Sequence, residues 1–99
     1  MRHNKLKKDR NTIDKIDMKI FNLIKKRTMI VNHMLSLKKF KSEIVDQKRI
    51  KKILIKIKNK SIKNKVDPKI TARIWKSMIW SYVEYQRKNF KKKSLTVRR

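Results

Sequence analysis

Helix breakers are almost absent from this chain, whose 99 residues include no glycine and one proline, Pro68. Those two residues punctuate most globular sequences, so the stretch from Met1 to Asp67 offers no ready place to turn. Long helices are the expected outcome. From Ile13 onward apolar side chains recur at Ile16, Ile20, Leu23, Ile30, Met34 and Leu37. The steps are of three and four, and the single vacancy at position 27 is filled by arginine. This pattern predicts one helix from Leu6 to Phe40.

Ile50, Ile53, Leu54 and Ile57 form a second periodic set and predict a shorter helix over Val45 to Lys58. Residues Ile53 to Lys58 also alternate as a strand would, but no turn signal or partner strand lies nearby, so helix is preferred. Val66-Asp67-Pro68 then reads as a helix start. Asp67 can accept from free backbone amides, and Pro68 suits the first turn, where its missing donor costs nothing. The third helix carries Ile70, Ile74, Trp75, Met78, Ile79, Tyr82, Val83 and Phe90 on its apolar face, with Gln86 at the same spacing. The fold class is therefore all-α, with a single helical domain over residues 1–90 and a basic tail over residues 91–99.

Helix lengths bear on assembly. A helix of about 35 residues is near 50 Å long, and helices of about 14 and 25 residues from the same chain cannot cover its whole apolar seam. A second copy is expected to cover the rest, giving an intertwined homodimeric six-helix bundle.

Charge and composition narrow the function. Lysine and arginine number 32 against 7 acids, a formal charge of +25. Such a surface binds polyanions without any particular motif, so a basic helical nucleic-acid-binding protein is one reading, with Lys91-Lys92-Lys93 the first place to look for contact. The absence of cysteine excludes disulfides, thiolate metal sites and a cysteine nucleophile, and two separated histidines cannot close a zinc site. No apolar run approaches the roughly 20 residues of a membrane span, and no hydrophobic signal region follows the charged start. A cytoplasmic protein without membrane contact is expected.

Three polar residues sit where apolar ones are due. Arg27 lies in the seam between Leu23 and Ile30, Lys38 follows eleven residues later in nearly the same direction, and Gln86 faces inward from the third helix. A buried cation without a partner costs several kcal/mol. One solution is a salt bridge from Arg27 to Asp14, Asp17 or Asp46, with Lys38 reaching out to water. The other is a site for an anionic ligand. A carboxylate ligand is favoured because the seam cation is arginine, whose planar fork grips carboxylates in two places, in a chain holding 24 lysines to 8 arginines. His33 has no second histidine near it, and Trp75, Trp80 and the methionines need only packing.

The opening Arg10-Asn11-Thr12-Ile13-Asp14-Lys15-Ile16-Asp17, then Leu23 to Arg27, Lys38, Asp46-Gln47-Lys48-Arg49 and Ile79 through Gln86 together resemble the all-helical chorismate mutase family. The resemblance spans about Arg10 to Phe90. It implies an intertwined dimer of three-helix chains and a small dicarboxylate substrate. Matching positions place Arg27 on one substrate carboxylate and Arg10, from the other subunit, on the second. Lys38 and Gln86 match the pair that hydrogen-bonds the ether oxygen of the breaking bond. Arg49 and Asp46 match positions that line the substrate and order the second helix. Conversion of chorismate to prephenate is a unimolecular rearrangement, so the resemblance implies no cofactor, metal or nucleophile.

Two positions depart from the pattern. Many mutases of the family carry a glutamate immediately after the arginine matched by Arg49, where this chain has Ile50, and the position matched by Tyr82 is often a small hydroxyl residue. The run Ile79-Trp80-Ser81-Tyr82-Val83-Glu84 also looks like the related isochorismate pyruvate lyases, which share the fold and yield salicylate and pyruvate. Mutase is the first expectation and lyase the second.

Overall fold

The computed structural model describes the backbone of residues 1–97 and the side chains of residues 1–90. Its order is α1 (Arg2–Leu37), a single 3-10 turn (Lys41–Glu43), α2 (Gln47–Lys63) and α3 (Pro68–Val97), with no strand among the described residues. The all-α expectation holds. The alternating stretch Ile53 to Lys58 lies wholly inside α2. Helical backbone continues past Phe90 to Val97, through most of the stretch expected to be a tail; the side chains of residues 91–99 lie outside the described ones.

Helix α2 begins and ends, and α3 begins, for local reasons. Asp46 is the N-cap of α2, its Oδ1 accepting the Arg49 N–H at 3.0 Å, and Asp67 Oδ1 accepts the Lys69 N–H at 2.9 Å at the head of α3. Pro68 takes the first position of α3, as expected. Helix α2 ends five residues later than Lys58, in a Schellman motif. The Val66 N–H donates to the Ser61 carbonyl at 2.9 Å and the Lys65 N–H to the Ile62 carbonyl at 3.2 Å. Lys65 adopts φ 58°, the left-handed conformation that glycine usually supplies, at a cost of about 1–2 kcal/mol for a residue with a side chain.

The chain divides into two compact units, Met1–His33 and Met34–Arg99. The first is helix alone. Along it Ile13, Ile16, Ile20, Leu23 and Ile30 are all exposed, Leu23 to 66%. The second unit has a core of Leu35, Ile44, Ile79 and Val83, each buried. Here α2 and α3 form an antiparallel pair, joined near its turn by a hydrogen bond between the Ser61 and Thr71 hydroxyls at 2.7 Å. Ser61 is buried and also donates to the Ile57 carbonyl at 2.6 Å, so its oxygen is satisfied on both counts. Among the described residues no helix is long and apolar enough to cross a membrane.

Candidate active site

Lys38 is the first residue after α1 ends, and its backbone N–H still reaches the Leu35 carbonyl at 3.2 Å. Buried Leu35 and Ile44 anchor the chain on either side of the turn that follows. From this fixed base the Lys38 ammonium donates to Gln86 Oε1 on α3 at 2.7 Å. Two residues 48 positions apart, singled out as misplaced polar groups in the sequence, are therefore in direct contact.

Gln86 is 7% exposed, and its amide is used at both ends. Its Oε1 accepts from Lys38, and its Nε2 donates to the Tyr82 carbonyl one turn earlier at 3.2 Å. That second bond fixes which end of the amide faces Lys38, since an ammonium can only donate. Tyr82 is half-buried, and its ring meets that of Tyr85 edge-on, with centroids 6.5 Å apart and planes at 89°. The result is a cluster on the inner face of α3 in which a cation and an amide converge.

Electrostatics around Lys38 pull in opposite directions. Burial lowers the pKa of its ammonium below the ordinary lysine value, and the Glu43 carboxylate raises it part of the way back. Glu43 is itself held below the usual carboxylate range, chiefly by the Phe40 N–H and next by the Lys39 N–H. Both amides donate to the same oxygen, Oε2, at 2.8 and 2.6 Å.

The other candidates occupy simpler settings. Asp46 is exposed and caps α2, Arg49 is exposed in the first turn, and Ile50 beside it is half-buried. Arg10 and Arg27 belong to the Met1–His33 unit, where Arg10 is exposed and Arg27 half-buried. They lie 27 − 10 = 17 positions apart on one helix, or about 25 Å along its axis. A groove of about 420 Å³ between α2 and α3, floored by Leu54, Ile55, Pro68 and Ala72 with lysines at its rim, is lined by none of the eight candidates.

A family model described as chorismate mutase type II matches residues 9–87. This chain belongs to the chorismate mutase type II family. The match covers every candidate from Arg10 to Gln86. No curated protein and no solved structure matches the chain. Within the chorismate mutase assignment, Glu43 is the residue that sequence reading overlooked. A glutamate three residues after a cap position is a known helix-start signal, but the cap here is Phe40, which has no side-chain acceptor to complete the usual pair.

Proposed function

We propose that this protein rearranges chorismate to prephenate as an intertwined homodimer. The observation that carries the reading is the 2.7 Å contact between Lys38 and Gln86, because a rearrangement that builds negative charge on an ether oxygen needs donors held in advance at one point. An ammonium has three N–H groups and an amide nitrogen two, so a pair locked to each other still presents donors to a third atom. Burial strengthens those donors by removing competing water. Because the charge on the oxygen grows as the bond lengthens, the interaction is stronger in the transition state than in the ground state, which is what accelerates the step.

Holding the substrate is the second requirement, and the arginines supply it. Arg27 takes one carboxylate through its bidentate fork. The second falls to the partner's Arg10, since about 25 Å of helix separates the two arginines of one chain, beyond the reach of one small dicarboxylate. Two such clamps select the folded conformer in which the reacting carbons meet, an orientation effect of up to several kcal/mol. Exposure of Ile13, Ile16, Ile20, Leu23 and Ile30 supports the dimer, because an apolar seam of this length gains by meeting another like it.

Ile50 favours a second reading. A half-buried apolar side chain next to Arg49 offers no acceptor to a ring hydroxyl at that place, which fits the differently placed hydroxyl of isochorismate. Purified protein supplied with each substrate separately distinguishes the two. Prephenate from chorismate supports the mutase, salicylate with pyruvate from isochorismate supports the lyase, and neither product sinks both.

A further inference from the structure

We propose that Glu43 is the positioning residue of Lys38, its carboxylate fixing the two backbone amides that follow Lys38 and setting a negative charge near the ammonium that reaches Gln86. The inference rests on the reading of Lys38 as donor to the substrate's ether oxygen.

Three observations support it. First, both amides, from Lys39 and Phe40, donate to Glu43 Oε2 at 2.6 and 2.8 Å, so one oxygen fixes the path of the chain as it leaves Lys38. Second, the turn that Glu43 closes is only Lys41–Glu43, far too short for capping to be its main benefit, whereas Asp46 and Asp67 each start a long helix. The two residues that Glu43 holds, Lys39 and Phe40, are the ones that directly follow Lys38. Third, Glu43 is one of four carboxylates between residues 34 and 99, with Asp46, Asp67 and Glu84, in a chain where cations outnumber acids 32 to 7. A negative charge at this place is the exception to the composition around it.

Other charged or titratable groups lie beside Gln86 on α3 or near Lys38 in the sequence. Lys39 and Lys41 share its connection, Asp46 and Arg49 begin α2, and Tyr82, Glu84, Tyr85 and Arg87 flank Gln86 on α3, with Arg27 and His33 upstream on α1. Among these, Glu43 is the charge that raises the Lys38 pKa against its burial. Without Glu43, burial acts unopposed. The ammonium then loses its proton at lower pH, and with it the ability to donate.

Glu43→Gln and Glu43→Ala separate the two roles. Glutamine keeps an oxygen able to accept both amides and removes only the charge; alanine removes both. The readouts are kcat against pH and, independently of activity, the NMR titration of the Lys38 side chain, identified as the signal lost in Lys38→Gln. Glu43→Gln is expected to move the alkaline limb of kcat and the Lys38 titration to lower pH together, with helix content unchanged. Glu43→Ala is expected to add a loss of about tenfold or more in kcat on the plateau, with KM little changed.

An unmoved Lys38 titration in Glu43→Gln overturns the proposal whatever the activity does. So does a well-folded Glu43→Ala with wild-type kcat below the limb. Should the alanine variant not fold, the glutamine variant decides alone. A wild-type protein inert on both substrates whose Lys38 titration still follows Glu43 defeats the functional reading and upholds the pairing.

Discussion

The Met1–His33 and Met34–Arg99 units solve the burial problem differently. The second encloses its own core and brings its paired polar groups, Lys38 and Gln86, together within one chain. The first is a helix whose apolar residues stay exposed and whose two arginines stand about 25 Å apart. One unit buries apolar residues of its own; the other leaves them exposed. The contrast teaches that, on the proposed reading, the acceleration is built within a chain and the substrate clamp is built between chains.

The strongest way to break this contrast is to remove the intrachain pair. Lys38→Ala or Gln86→Ala should each lower kcat by about 10²–10³-fold with the helices intact by circular dichroism. A near-wild-type rate in either variant removes the basis of the mechanism. Mixing inactive variants then sharpens the comparison. Arg10→Ala and Arg27→Ala, refolded together, should regain roughly a quarter of the wild-type sites, because random pairing leaves one intact site in half of the dimers. Lys38→Ala mixed with Gln86→Ala should regain none, since every site keeps one lesion. Recovery in the second mixture, or none in the first, reverses the assignment of the two units.

Stability gives a smaller signal. Val83→Ala should cost about 2 kcal/mol by opening the core of the second unit, a loss visible at any protein concentration. Ile20→Asp in the first unit should instead abolish the concentration dependence of melting and halve the mass seen by light scattering. Asp67→Ala should have the least effect, about 1 kcal/mol from the lost cap of α3, with kcat unchanged.

Most of this architecture is legible in the sequence because helix interiors and starts have chemical signatures. The seam from Ile13 to Leu37 and the Asp67-Pro68 start both lie in helices, and Lys38 and Gln86 stand out in the sequence as polar residues where apolar ones are due, though their contact with each other is visible only in the structure. Helix ends were harder to place. Helix α1 stops at Leu37, before the expected Phe40, because Glu43 draws the Lys39 and Phe40 amides out of the helical ladder. Helix α2 runs on to Lys63 because its terminating left-handed residue is a lysine, in a chain with no glycine to announce one. Glu43 was missed for a related reason: its bonds go to backbone, which has the same N–H at nearly every position and leaves no pattern in side-chain identity.

The carboxylates of the second unit have one further consequence. Glu43, Asp46 and Asp67 are each engaged by backbone N–H groups at 3.0 Å or less, so three of its four fixed anions serve local geometry. With cations outnumbering acids 32 to 7 the lysines are left to repel one another, and relief comes from dissolved counterions, whose screening acts over about 10 Å at 0.1 M ionic strength. The solvent thus completes the charge balance that the polypeptide leaves open, and added salt should tighten this fold where it would loosen one held by surface ion pairs.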